Sequence, residues 1–252
     1  YHPIALLSIA AMIKNICDVR IFDCLITDFK IRRLKNSILF GTPFEKLKTE
    51  IANFNPDIAG ISIPFSAQSG SARIVGQICK DINPDMVVVF GGPHASVRYS
   101  HLLRNTPCDY CVVGEGELTF LEFMKKFNSK LPLKDIEGIA HKQGDRIYYK
   151  PRKYITDLDQ LPFPAYDLID MGAYQRSKNL YRSRSESRNS ISIITSRACP
   201  FDCVSCSIQL HMGKRYRYHS PDYVIKHIKY LIETYGITNF HFEDDNVSMN
   251  KE

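Results

Sequence analysis

At 252 residues, 44% of them hydrophobic and 24% charged, the chain has room for one large or two ordinary globular domains, which excludes a disordered or fibrous protein. No apolar run reaches the roughly 18 residues that a membrane span needs. The net charge of +6 is mild, and much of it sits in the Ser/Arg-rich segment from Arg176 to Arg188. That segment reads as a solvated linker in preference to an RNA-binding tail, so neither a nucleic-acid partner nor a membrane span is expected.

Eight cysteines in a chain this long and this well supplied with core residues do not read as a disulfide framework. A reducing cytoplasm is the expected location. Cys17, Cys24 and Cys79 stand alone among apolar residues and read as packed thiols. The chain opens at Tyr1, not Met, so the natural N-terminus is expected to lie outside the sequence, which leaves no targeting segment to interpret.

In chain order, Pro3 to Asn15 reads as a mostly buried helix with Pro in its first turn. Val19 to Asp23 is strand-like, and Pro43 to Phe54 has apolar residues at helical spacing. Then come strand Asp57 to Ile63, helix Ser66 to Ile82, strand Met86 to Phe90, helix Ala95 to Asn105, strand Asp109 to Val113 and helix Glu117 to Phe127. Continuous apolar strands alternating with helices predict a parallel sheet covered on both faces, a doubly wound α/β domain. Such a domain normally opens with a strand inside the sheet, at the switch point. Here the chain begins at the helix, so we expect a fragment whose first strand lies outside the sequence.

Ligands of such sheets bind beyond the carboxyl ends of the strands. The loops on that edge are Ser62 to Gln68, Gly91 to Ser96 and Gly114 to Glu117. Paired glycines let a backbone approach a ligand closely, although a tight turn also uses them. His94 lies on this edge and reads as a loop cap. Cys108 and Cys111 form a C-x2-C, but a strand from Asp109 would point them to opposite faces. Two packed thiols are expected there, with a redox pair or half a zinc site as the alternatives.

From Lys130 to Asn189 regular structure thins out. Ile136 to Lys150 reads as a hairpin with Gly144 in its turn, and Leu161-Pro-Phe-Pro-Ala-Tyr166 as an extended strap. Next come a short strand, Ile191 to Ile194, and a loop with Cys199, Cys203 and Cys206 in a C-x3-C-x2-C spacing. Lys214 to His219 is basic and aromatic. Ser220-Pro221-Asp222 opens a helix as N-cap, N1 proline and first-turn acid. Val224, Ile225, Ile228, Leu231, Ile232 and Tyr235 form its apolar stripe, and Gly236 ends it. Strand Ile237 to Phe242 follows and runs into Glu243-Asp244-Asp245-Asn246. Strand, loop, helix, strand is a βαβ unit, with the cysteines at its carboxyl edge.

The cysteine spacing resembles the cluster loop of the radical S-adenosylmethionine (SAM) enzymes. The three edge loops of the first half, in place and order, resemble the cobalamin-binding domain that precedes the radical SAM barrel in one branch of that superfamily. The resemblance covers about residues 1–128 and the region from 190 onward. It implies a Rossmann-like or flavodoxin-like domain at 1–128, a linker with the hairpin at 129–189, and the start of a (β/α) partial TIM barrel at 190–252.

By resemblance, Cys199, Cys203 and Cys206 ligate a 4Fe–4S cluster whose fourth iron takes SAM, and the enzyme cleaves SAM to a 5′-deoxyadenosyl radical. Glu243 and Asp244 would hold the SAM amino group, and Ser62, Gly91 and Gly92 would contact a cobalamin tail. The implied partners are a small-molecule substrate and an electron donor such as a flavodoxin or ferredoxin; methyl transfer to an unactivated carbon is one implied outcome, and no catalytic residue is assigned. Two departures stand out. His2 lacks the glycine three residues on that a D-x-H-x-x-G cobalt-ligating motif requires, and Ser205 takes the place of the usual aromatic before the third cysteine. The alternative is a non-catalytic corrinoid- or zinc-binding module, with His211 completing a Cys3His set.

Overall fold

The computed structural model describes residues 2–33, 38–176, 189–247 and 249. Most of the Ser/Arg-rich segment, residues 177–188, lies outside the described residues. The chain opens with helix α1 (Ile4–Ile13), strands β1 (Lys30–Arg33) and β2 (Ile38–Gly41) and helix α2 (Phe44–Phe54). Strand β3 (Ile58–Ser62), α3 (Ser69–Ile82), β4 (Val87–Gly91), α4 (Pro93–Asn105), β5 (Tyr110–Val112) and α5 (Glu117–Asn128) alternate as expected. They are followed by β6 (Ile139–Gln143), β7 (Arg146–Tyr149) and α6 (Met171–Arg176). The last part holds β8 (Ser190–Ile193), β9 (Ser196–Arg197), α7 (Ile208–Met212), β10 (Arg217–Tyr218), α8 (Pro221–Tyr235) and β11 (Asn239–Phe242).

Two compact units emerge, one of residues 43–154 with 204–212 and the other of residues 1–42, 155–203 and 213–252. This spatial division cuts across the linear order 1–128, 129–189 and 190–252.

The unit built on residues 43–154 is a mixed α/β layer structure around five strands in the order β3-β4-β5-β6-β7. The first three strands are parallel, and the β6–β7 hairpin adds antiparallel through Tyr110–His141 and Val112–Ile139. The hairpin expected between domains is thus the sheet's continuation, turning at Gly144 with φ +58°. Alternation fixes which side chain goes where. Val88, Phe90 and Cys111 pack in one core with Ala72 and Cys79 of α3 and with Leu102 and Leu103 of α4. On the opposite face Tyr110 meets Phe123 of α5 edge-on, 5.3 Å between ring centres. Phe90 and Phe123 are both fully buried, each contributing about 1.5–3 kcal/mol. Gly76 brings α3 close: a Cβ there would stand 3.3 Å from Phe90.

In the other unit β8 and β11 pair in parallel, Ser190 with Asn239 through Ile193 with Phe242. Helix α8, which joins them, is capped as expected: the Ser220 hydroxyl accepts from the Tyr223 N–H at 3.2 Å, and Gly236 ends the helix at φ +64°. Leu7, Tyr166, Met171, Ile191, Ile193, Leu231 and Ile237 form the core. The expected stripe of α8 is kept in part: Leu231 is buried and Ile228 and Tyr235 pack against the core, while Ile225 and Ile232 are about half exposed. His227 joins the buried face, where it stacks on Phe163 of the proline strap at 4.6 Å.

The strand expected at Val19 to Asp23 does not form. The Asp23 carboxylate accepts from the Leu25 N–H at 2.8 Å, and the Asp23 carbonyl accepts from Thr27 N–H at 3.0 Å, which bends the chain into a turn. The hairpin of this region is instead β1–β2, with Ile31 opposite Phe40.

Candidate functional site

The carboxyl edge of the five-stranded sheet carries the three loops singled out above, and backbone bonds tie them together. Ile63 N–H, just past β3, donates to the Gly91 carbonyl at 2.8 Å, and His94 N–H donates to the Ile63 carbonyl at 3.1 Å. Gly92 sits at φ +91°, and a Cβ there would lie 3.2 Å from the Ile63 N and O atoms. Glycine is therefore dictated by the fold at 92. At Gly91 a Cβ would meet only Val112, at 3.8 Å, an ordinary contact. Ser62 ends β3 directly opposite Gly91. His94 is partly buried and faces the Ser66 hydroxyl at 2.9 Å, the loop-capping role expected. Burial, then Arg98 and His101, push its imidazole down.

Sequence reasoning passed over Ser96. Its buried hydroxyl donates to the Gly92 carbonyl at 3.0 Å and accepts from the Gly114 N–H at 3.0 Å, joining the loop after β4 to the loop after β5. A Ser four residues past a double glycine was the only available signal.

The cysteine loop leaves β8 at Thr195. Its ends are clasped by the antiparallel pair β9–β10, Arg197 opposite Arg217 and Ser196 opposite Tyr218. Ala198, fully buried, takes φ +71°, a left-handed conformation that a residue with a Cβ adopts only under constraint. Cys199 is half-buried, Cys203 and Cys206 are exposed, and all three are free thiols. Among the described residues no three His, Cys, Asp or Glu groups stand close enough together to hold a metal ion, so neither the three cysteines alone nor the Cys3His set is assembled. The donor chemistry nonetheless suits an iron–sulfur cluster, three unpaired soft ligands on one loop. His211 is buried, and burial pushes its imidazole down.

Glu243 and Asp244 sit at the end of β11, beside the start of that loop. One oxygen of Asp244, Oδ1, accepts from the Thr195 N–H at 2.9 Å, the Thr195 hydroxyl at 3.0 Å, the Ser196 hydroxyl at 2.5 Å and the Ser196 N–H. Oδ2 is buried without a hydrogen-bond partner. Glu243 N–H donates to the Ile193 carbonyl at 2.9 Å, and its exposed carboxylate accepts from the Ser192 hydroxyl at 3.1 Å. Burial, then the Asp244 charge, raises the neighbouring Asp245.

The basic stretch before α8 is largely engaged within the chain. Lys214 pairs with Asp202, and buried Arg217 donates to the Ile155 carbonyl at 2.8 Å. His219 Nδ1 lies 3.0 Å from Asp159, its backbone N–H donates to the Thr195 carbonyl at 2.8 Å, and its ring stacks on Tyr223 at 3.9 Å. Burial opposes ionisation of Asp159, yet bonds from Ser220 and His219 outweigh it and lower the carboxyl. His2, meanwhile, stacks on Tyr174 at 4.5 Å.

Residues 1–124 match the B12 binding domain family. An uncharacterized methyltransferase of Pyrococcus horikoshii is 35% identical over 252 residues, 99% of this chain and 50% of that protein. Cytidylyl-2-hydroxyethylphosphonate methyltransferase of Streptomyces wedmorensis is 26% identical over 231 residues, 83% of this chain and 43% of that protein. Among solved structures, the radical SAM methyltransferase TsrM from Kitasatospora setae superposes with a TM-score of 0.72 at 17% identity, covering 98% of this chain and 46% of that one. Another TsrM structure holds cobalamin and a 4Fe–4S cluster. The chain spans about half the length of these curated relatives. Among the described residues no helix is long and apolar enough to cross a membrane. Residues 1–124 of the chain thus match a B12 binding domain, the chain is similar in sequence to methyltransferases, and it shares the fold of the radical SAM methyltransferase TsrM.

Proposed function

We propose that this chain is part of a cobalamin-dependent radical SAM enzyme that transfers a methyl group to an unactivated carbon of a small molecule. The observation that carries the reading is the clasped loop at the carboxyl end of β8, which bears three free thiols and starts on the Asp244 carboxylate. A 4Fe–4S cluster, when bound, supplies the electron that breaks the sulfonium bond of SAM. The chain's own residues hold and orient. Cys199, Cys203 and Cys206 ligate as thiolates, and Asp244 Oδ1 fixes the strand end from which they depart. The unpartnered Oδ2 of Asp244 and the exposed Glu243 offer acceptors for the SAM ammonium by charge-assisted bonds.

On the sheet edge, Ser62, Gly91 and Gly92 receive the corrinoid. Gly91 supports this placement, since packing does not demand glycine there and close approach of a ligand to the backbone would. TsrM, with cobalamin and a 4Fe–4S cluster bound, has the same fold. The electron donor is a flavodoxin or ferredoxin, and the expected compartment is the cytoplasm.

Anaerobic reconstitution with iron and sulfide tests the cluster. Four irons per chain with charge-transfer absorbance, lost when Cys199, Cys203 and Cys206 are all changed to Ala, is the expected result. Tight zinc with no cluster absorbance would sink the reading in favour of a non-catalytic metal-binding module. Hydroxocobalamin titration tests the other cofactor, and an absence of binding by the intact chain would remove cobalamin from the proposal.

A further inference from the structure

The C-x2-C at residues 108–111 is not the pair of diverging thiols that an extended strand would give. The chain bends at Asp109 before β5 begins, and the two sulfurs lie 3.6 Å apart. The bend is held firmly. Asp109 N–H donates to the Val88 carbonyl at 2.9 Å, and the Asp109 carboxylate accepts from the Val88 N–H and from Lys80, both at 2.7 Å. Cys108 N–H donates to the Thr106 hydroxyl at 3.3 Å, and the Cys108 thiol to the Tyr110 carbonyl at 2.9 Å. Both thiols belong to the same packed core as Cys79. Nothing in the cobalamin or SAM chemistry proposed above uses them.

We infer that Cys108 and Cys111 are a modification site, a dithiol that a hydroperoxide converts to a disulfide. The two cysteines are not equivalent. Cys108 is 7% exposed and Cys111 fully buried, so an oxidant reaches Cys108 first. The Cys108 thiolate attacks a peroxide oxygen, the O–O bond breaks, and Cys108 becomes a sulfenic acid as hydroxide leaves and is protonated to water. Cys111 sulfur then attacks the Cys108 sulfur. The S–S bond forms, the S–O bond breaks, and the Cys111 proton leaves with the hydroxide as a second water. Two thiols are oxidised by two electrons and one peroxide is reduced.

The approach is short. A disulfide needs about 2.05 Å between sulfurs, so the pair closes by roughly 1.5 Å. Cys111 is suited to the second step by its place 3.6 Å from Cys108; its partner Cys108 and burial hold its thiol protonated, well above the usual range, so it gives up that proton to the departing hydroxide as it attacks. Trapping the sulfenic acid within the core keeps Cys108 from the irreversible sulfinic state. The bridge spans only four residues, so little of its effect is loop-closure entropy.

Peptide mapping of the intact chain tests this without any variant. Trypsin releases residues 105–125, which contain Cys108 and Cys111 and no other cysteine. The chain, purified anaerobically, is treated with equimolar hydrogen peroxide, denatured and alkylated with N-ethylmaleimide. The expected product is this peptide two hydrogen masses lighter and unalkylated, restored by dithiothreitol, while Cys79 in the same core is alkylated in full. Cys111→Ser should instead leave a Cys108 sulfenic acid that dimedone captures. Full alkylation of Cys108 and Cys111 after a dose that oxidises Cys203 and Cys206 would overturn the inference. So would Cys108 sulfinic acid beside a free Cys111, or a bridge from either thiol to any other cysteine.

Discussion

The Asp244 carboxylate takes both the backbone N–H and the hydroxyl of Thr195 on one oxygen, at 2.9 and 3.0 Å. The end of β11 thereby fixes the start of the cysteine loop, and the second oxygen is left over. The two oxygens can be separated by substitution. Asp244→Asn keeps one acceptor for Thr195 and Ser196 but turns the other position into a donor, so the chain should melt within a few degrees of the parent. SAM affinity of the reconstituted protein should fall at least tenfold, because an amide N–H repels an ammonium. Asp244→Ala should lose the clamp as well, at about 2–3 kcal/mol. Isothermal titration with SAM and thermal melts of both variants check the pair.

His227 predicts an acid limb in the stability of its unit. Burial first, and the neighbouring His219 second, hold its imidazole at about 4, against about 6.5 in an unfolded chain. Between those values the unfolded chain binds a proton that the folded one refuses. Its contribution is complete above about 6.5, falls as pH is lowered, and levels off below about 4, with a ceiling of roughly 3 kcal/mol. His227→Phe should flatten the slope of the urea midpoint against pH. It should also lower stability at neutral pH, since the Tyr166 hydroxyl loses its partner at 3.2 Å.

Gly92→Ala should be destabilising by about 1–3 kcal/mol, from the left-handed backbone and the contact with Ile63. Gly91→Ala, with room for its Cβ, should leave the melting temperature nearly unchanged while weakening hydroxocobalamin binding. Equal losses of stability in the two variants would show that both glycines serve the fold alone.

Ser96→Ala removes the donor to the Gly92 carbonyl and leaves the Gly114 N–H without its acceptor. A cost of about 1–3 kcal/mol is expected. Amide hydrogen exchange at Gly114 should quicken more than exchange along β4, which native-state measurements can resolve residue by residue.

Much of the layer structure was legible because it rests on short-range pattern. The apolar runs at 57–63, 86–90 and 109–113 became β3, β4 and β5, and Ser220-Pro221 and Gly236 bound α8 where they stand. What escaped depends on partners distant in sequence. Ile136 to Lys150 reads as a hairpin, but only the Tyr110–His141 pairing shows which sheet it extends. The β1–β2 hairpin was invisible because its first strand, Lys-Ile-Arg-Arg, is exposed throughout and lacks an alternating pattern. The burial of His227 on α8 rests on its stacking with Phe163, 64 positions earlier, which the apolar pattern of the helix does not contain.

The site divides the same way. The three cysteines announce themselves by spacing, and Gly91 and Gly92 by their doublet. That one glycine answers to packing and the other does not is set by Ile63 and Val112, which no motif contains. The meeting of Cys108 and Cys111 depends on Lys80 and Val88 holding a single bend.

The Ser96 hydroxyl has a consequence for recognition at the sheet edge. Because it joins the Gly92 carbonyl to the Gly114 amide, two of the three loops there are ordered during folding and not upon ligand arrival. A ligand settling on that rim meets a preorganised surface, and the rotational freedom ordinarily surrendered by such loops in an encounter has already been lost.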